Sequence, residues 1–520
     1  MPLLDEQVEY QPCRVEEGDD LSLLKEDEGE SDSGRLCDVD SEVEAIGCGF
    51  FHYRMVVYVA LVLHALGPDH DACSILGLGN AADAVEILAM NYILADYGEI
   101  SPSESSFLTA AVFAGMLVGG LIGGVMADHY GRRPIVLLNL AINSISALLS
   151  ALSPSIHWLI LFRTLAGIGV GGIVACLFAL CVEHLPAAAR ARFVTILCSF
   201  WMIGSIVTAA AAWVMLGKTI DSSHVRILPW CNWRYFAAFA GLPAFLCFGL
   251  AYLYVPESAR FLASQKNYAA AEAVLVHIMA LNGVRRAAPH LSPSFDNVSS
   301  AKKEKQVDLR AAMLSPSLRL VAVCLFVASF CLSFGSYGIS TWITKLFVSI
   351  GLANPYANAF LYAGANLPGN LFSFYVVDSW GASTLLMASL VAAAICAMLF
   401  AVQLDDSAAA IVALACLFNA LATAAWNAFG VVTTHAFPLS VRVTGMALVN
   451  SVGRVGAISA QFVNGYLIGP PPHLMALLLV TASVLLTGAL AIRCMPRTTI
   501  STPLSPNKAR STSPSAASIQ

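Results

Sequence analysis

Twelve apolar runs of about twenty residues dominate the chain, at 75–96, 105–127, 134–153, 157–184, 193–216, 235–255, 318–344, 356–377, 382–403, 407–434, 442–468 and 473–493. That length matches the hydrocarbon thickness of a bilayer, and only helices or closed barrels satisfy their backbone polar groups there. Composition agrees. Of 520 residues, 58% are hydrophobic and 12% charged, with a mean hydropathy of +0.71. A soluble domain carries about 25% charged residues, so a soluble enzyme, a disordered scaffold and a nucleic-acid binder are excluded. The expected fold class is an all-α membrane protein with twelve transmembrane helices.

Charge is distributed unevenly. Residues 1–46 hold 16 acidic side chains against Arg14, Lys25 and Arg35, and the rest of the chain is mildly basic. The acidic stretch lacks the basic and apolar regions of a signal peptide and is expected to be an unstructured tail. It contains Asp19-Asp20-Leu21-Ser22-Leu23-Leu24, an acidic dileucine pattern that a vesicle-sorting adaptor would read at Leu23 and Leu24. Basic residues follow the even-numbered runs: Arg132 and Arg133, Arg190 and Arg192, Lys302, Lys303 and Lys305, Arg442, and Arg497. By the positive-inside rule both termini and the central loop are cytoplasmic, which leaves the Asn297-Val298-Ser299 sequon unglycosylated. The expected organisation is a tail over 1–50, a six-helix bundle over 51–255, a cytoplasmic linker over 256–317, a second bundle over 318–494 and a tail over 495–520. The stretch 62–76 interrupts the first run with Gly67-Pro68-Asp69-His70-Asp71. It reads either as a lead-in helix and loop or as a local insertion.

The chain repeats itself. Asp128-x-x-Gly131 returns as Asp378-x-x-Gly381, 250 positions later. Glu183-x-x-Pro186-x-x-x-Arg190 returns as His435-x-x-Pro438-x-x-x-Arg442, 252 positions later. A duplicated six-helix unit is how many secondary transporters are built.

These residues also carry a family likeness. Gly124-Val125-Met126-Ala127-Asp128-His129-Tyr130-Gly131-Arg132-Arg133 resembles the loop motif of the major facilitator superfamily, and Arg163-x-x-x-Gly167-x-Gly169 resembles its fourth-helix motif. Pro256-Glu257-Ser258-Ala259-Arg260-Phe261-Leu262 is similar to the motif closing the first half of sugar and organic-ion porters. Ala82-Asp83-Ala84-Val85-Glu86, Phe200-Trp201-Met202-Ile203-Gly204, Ser336-Tyr337-Gly338 and Ala425-Trp426-Asn427-Ala428 resemble the synaptic vesicle glycoprotein 2 and SVOP-type branch, whose neighbours are niacin and organic-ion transporters. The resemblance implies two six-helix bundles rocking about a central site, with Trp201 and Trp426 facing the cavity. The chain departs from that branch at His435 and Gly430, where acids are usual, and lacks its large luminal domain.

Several residues are candidates for chemistry. Asp83 and Glu86, three apart on one helix face, lie in an apolar span, where a carboxylate is costly unless paired, protonated or hydrated. They read as proton-coupling groups, as partners of an arginine in the fourth or eleventh span, or as a solvated helix end. Arg454, between Gly453 and Gly456, reads as a substrate-anion contact, a structural partner for an acid, or a snorkelling cation. Trp201, Tyr337, Trp426 and Asn427 are the other substrate-binding candidates. A cytoplasmic gate is expected from Asp128, Gly131, Arg132, Arg133, Arg163, Glu183, Arg190, Glu257, Arg260, Asp378 and Arg442, with Asp128 near a helix N-terminus and the arginines meeting Glu183. Gly167, Gly169, Gly171 and Gly172 permit close helix approach.

The expected function is secondary active transport of a small organic solute, proton-coupled and by alternating access, in a plasma or vesicle membrane. The alternative is a non-transporting membrane regulator or receptor of vesicle type. No cofactor, metal site or phosphate loop is expected.

Overall fold

The computed structural model describes residues 39–47, 75–98, 100–217, 227–228, 230–284, 291, 316–403, 407–437 and 442–496. The dileucine pattern, the Asn297 sequon and residues 62–74 lie outside them. Sixteen helices are described. The first half contains α1 (Val39–Ile46), α2 (Ile75–Asp96), α3 (Pro102–Tyr130), α4 (Arg132–Ala151), α5 (Ile156–Glu183), α6 (Ala187–Leu216) and α7 (Trp233–Tyr254). Two short helices, α8 (Ala259–Ser264) and α9 (Tyr268–Asn282), follow. The second half contains α10 (Pro316–Ile350), α11 (Pro355–Gly364), α12 (Asn366–Trp380), α13 (Ala382–Val402), α14 (Ala408–Ala436), α15 (Arg442–Ile468) and α16 (Leu474–Cys494).

Local chemistry sets the boundaries. Ser101 caps α3 by accepting from the Glu104 backbone N–H, while the Glu104 side chain accepts from the Ser101 backbone, a reciprocal capping box with Pro102 in the first turn. Asn232 caps α7 and Ser407 caps α14 in the same way, through side-chain oxygens. Pro368 lacks the N–H that would return to Gly364, where α11 ends. The eighth run, read from sequence as one helix, is therefore broken into α11 and α12.

Nine of the described helices are long and apolar enough to cross a membrane. The three other expected spans are the polar exceptions: α2 carries Asp83 and Glu86, α11–α12 is broken, and α15 carries Arg442 and Arg454. Residues 75 and 76 belong to α2 and are buried, and the Cys247 thiol donates to the Ile75 carbonyl. The last two residues of the 62–76 stretch are therefore part of the helix.

The duplication is visible in the packing. In the first half α3 and α4 pack on α5, α4 on α7, and α2 on α6 and α7. In the second half α12 and α13 pack on α14, α13 on α16, and α10 on α15 and α16. Each pairing in one set has its counterpart in the other. Helices α3 and α5 bring their backbones together: a Cβ at Gly119 would sit 2.0 Å from the Ile168 carbonyl oxygen, and one at Gly167 would sit 2.2 Å from that of Val112. Small residues let two helix backbones touch without a hydrophobic driving force, which a bilayer does not supply.

The halves meet through α3 on α15, α2 on α10 and α6 on α11. Asn91 accepts from the Thr344 backbone N–H at 2.9 Å, and Lys345 donates to Ser105 at 3.3 Å. Phe107 meets Phe462, Tyr92 meets Tyr356, and Trp213 meets Phe360. These contacts lie in the part of the bundle remote from the loop motif at residues 124–133. Nearer mid-span, Asn366 donates to Ser205 at 3.2 Å and accepts from Thr423 at 2.7 Å.

Candidate functional site

Two groups of charged side chains stand out, one within the helices and one at the loop-motif end. Inside, α2 turns two carboxylates into different surroundings. Glu86 forms an ion pair with Arg163 of α5 at 2.6 Å, both side chains fully buried. Arg163 also donates through Nε to Ser150 Oγ at 3.0 Å. Asp83, one turn earlier, is 1% exposed, and neither carboxylate oxygen has a hydrogen-bond partner among the described residues. Arg454 of the other half makes no ion pair with Asp83 among the described residues. Arg163 is therefore not part of the charged cluster at the loop-motif end. It stands twenty residues from Glu183 on the same helix, about 30 Å at 1.5 Å per residue.

Arg454 is half-buried on α15, with its guanidinium carbon 5.6 Å from the Tyr337 ring centre. Tyr337 in turn lies 5.7 Å from Trp426 and 5.1 Å from Phe113. Trp426 Nε1 donates to Ser336 Oγ at 3.0 Å, and its ring meets Phe429 edge-on. The structure thus gathers Tyr337, Trp426 and Arg454 from α10, α14 and α15, and adds Phe113 from the first half. The two other substrate-binding candidates stand apart. Trp201, half-buried on α6, has no ring contact with this group among the described residues. Asn427 donates to Asn370 Oδ1 at 2.6 Å and to Ser373 Oγ at 2.7 Å. Its amide tethers α14 to α12.

At the loop-motif end, Arg132 bridges Asp128 at 3.1 Å and Glu183 at 3.1 Å, and donates to the Ala127 carbonyl at 3.0 Å. The carboxylate at a helix N-terminus is Glu257, not Asp128. Asp128 sits in the last turn of α3, whereas Glu257 accepts the backbone N–H groups of Arg132 and Arg133 at 3.2 Å each. Those donors open α4, where an anion is favoured. Burial holds the Glu257 carboxyl above the usual carboxylate range, with the backbone donors acting in the opposite sense. Arg133 donates to the Tyr252 carbonyl at 2.7 Å. Arg190 donates to the Leu185 carbonyl at 3.1 Å, just past the end of α5, and Arg260 is half-buried on α8.

The second-half copy is plainer. Gly381 joins α12 to α13 with φ +79°, as Gly131 joins α3 to α4 with φ +104°. Asp378 is exposed and makes no ion pair among the described residues, because no arginine pair follows Gly381. The Arg442 side chain lies outside the described set.

Gly131 has a second constraint besides its φ. A Cβ there would lie 2.3 Å from Glu257 Oε2. Gly131→Ala is expected to lower stability by about 1–3 kcal/mol through backbone strain alone, and further by displacing Glu257. Thermal melting in detergent measures this. An unchanged midpoint would mean the turn relaxes freely.

Sequence reasoning missed Phe113, Asn91 and Asn366, and named Ser336 only within a motif. The asparagines carried a legible signal, since a polar side chain in an apolar span needs a partner. Phe113 carried none, being one apolar residue among many.

Comparison with known proteins identifies the family. The sugar (and other) transporter family matches residues 76–503. Organic cation/carnitine transporter 7 of Arabidopsis thaliana is 26% identical over 499 residues, covering 86% of this chain and 92% of its own. The niacin transporter NiaP of Acinetobacter baylyi is 27% identical over 439 residues, covering 82% and 89%. A partially occluded, inward-open structure of the xylose transporter XylE from E. coli superposes with a TM-score of 0.65 at 18% identity, over 82% of this chain and 98% of that one. That likeness shows the fold. The chain belongs to the sugar (and other) transporter family, and is a multi-pass membrane transporter of small solutes with the major facilitator fold.

Proposed function

We propose that this protein couples proton movement to the transport of a small organic solute by alternating access, with Asp83 as the proton-carrying group. The observation behind this reading is the contrast on α2: Glu86 is paired with Arg163, while Asp83 is buried with both oxygens unpartnered. A buried carboxylate without a partner is costly as an anion. A proton removes that cost in one state, and water or an approaching arginine removes it in the other. Protonation then biases the equilibrium between states.

The substrate meets the Tyr337–Trp426–Phe113 rings and Arg454. Flat apolar faces beside a fixed guanidinium suit a planar or carboxylate-bearing solute. The loop-motif end faces the cytosol, a reading supported by the basic residues of the short loops. In this state the two halves close at the opposite end, and the Arg132 cluster, whose described partners all belong to the first half and the linker after it, serves as one side of the gate at the cytosolic end. The named relatives give the test panel. Purified protein in liposomes is offered nicotinate, carnitine, an organic cation and xylose, with and without an imposed pH gradient. Gradient-dependent accumulation of one solute supports the reading. Uptake indifferent to pH removes the proton from it.

Closure at the far end gives a separate expectation. A Cβ at Gly465 of α15 would sit 1.9 Å from Ser106 Oγ of α3. Gly465→Trp should therefore hold that seam apart. Spin labels replacing Phe107 and Phe462, whose rings are 5.2 Å apart, should report a longer distance population in the variant. An unchanged distribution would show that the seam is not a moving contact.

A further inference from the structure

The segment read from sequence as an unstructured tail ends in order. Val39–Ile46 forms α1, which packs on α8 and α9. Val39, Val43 and Ile46 recur at helical spacing. All three are buried in the cluster that holds Ala259 and Ala263 of α8 and Leu275, Ile278 and Met279 of α9. Ser41 and Glu44 are exposed. An isolated helix of this length is unstable in water, so α1 depends on its docking.

The helix it docks on leads into the gate cluster. Ser258 caps α8 through its side chain, and its backbone N–H donates to Glu257 Oε1 at 2.8 Å. Glu257 holds the first amides of α4, and Phe261 of α8 lies 5.2 Å beneath the Arg132 guanidinium. The contacts run without a break from α1 through α8 and Glu257 to the start of α4.

We propose that α1 is a positioning strap. By clamping α8 it keeps Glu257 on the Arg132 and Arg133 amides and Phe261 under the Arg132 side chain. The N-terminal segment thereby sets how firmly the Arg132 cluster is held. The consequence for transport rests on the gate reading above; the chain of contacts does not.

Hydrogen exchange on the full-length protein in detergent tests this, comparing Val43→Asp, Val43→Ile and removal of residues 1–47. The informative amides are those of Arg132 and Arg133, which are held by Glu257 and not by α1. In Val43→Asp and in the truncated chain they should exchange about tenfold faster, while Val43→Ile keeps them protected. Peptides from α13 to α16 should stay unchanged, which separates undocking from global unfolding, and truncation gives the same test without a new charge. Protection of residues 131–136 kept in both disrupted forms would overturn the proposal. Faster amides with unaltered solute uptake would retain the strap and remove the gate reading.

Discussion

Arg163→Met is expected to take away a large share of the fold's stability. The substitution leaves the fully buried Glu86 without its only described ion-pair partner and takes away the donor to Ser150. Breaking a buried pair from one side costs about 3–5 kcal/mol, because a charge remains in low dielectric. That is a large share of the 5–15 kcal/mol that typically holds a domain together. Glu86→Gln with Arg163→Met should recover much of the loss, since replacing both charges removes the uncompensated one. Size-exclusion profiles and melting midpoints of the three variants in detergent check the pattern. A single variant as stable as the parent would mean the pair is hydrated and contributes little.

The outline of the fold was legible because a bilayer imposes length and polarity together. Nine of the described helices meet that demand alone, and the motif repeat at residues 128 and 378 anticipated the matching packing of the two halves. The break at Gly364 was less visible: Pro368 stood in the sequence, but whether neighbours straighten or accept a kink depends on packing. The linker was read by its basic residues, so the apolar face of α9, with Leu275, Ile278 and Met279 buried, went unseen. The same holds for α1, whose three aliphatic residues are diluted among acids and gain meaning only against α8.

Site residues divided along similar lines. Burial costs alone implied that Asp83, Glu86, Arg163 and Arg454 need partners, but not which would pair. Only the three-dimensional placement of α5 and α15 settled that Glu86 takes Arg163 while Asp83 has no direct partner among the described residues. At the loop, the arginines and Glu183 were readable as a group. That Glu257 caps α4, and Asp128 does not, depends on how the chain returns after α7. Asn427 illustrates the limit: its position beside Trp426 suggested a cavity, yet one helical step turns it towards α12.

Asp83→Asn is expected to uncouple the carrier while leaving the fold intact. Asparagine keeps the shape, and it removes a charge that no described residue neutralises directly. The apolar packing around α2 is untouched. With one proton per solute, a pH difference of one unit sustains about tenfold accumulation, equivalent to about 1.4 kcal/mol. The decisive measurement uses liposomes containing parent or Asp83→Asn protein and whichever solute of the panel the parent accumulates. Each is assayed for gradient-driven uptake and for exchange at equal pH. The parent should concentrate the solute, and the variant should only equilibrate it while still exchanging, because exchange need not return an empty carrier. An Asp83→Asn carrier that still concentrates solute in response to the pH gradient would contradict the role given to Asp83 and move the proton site elsewhere.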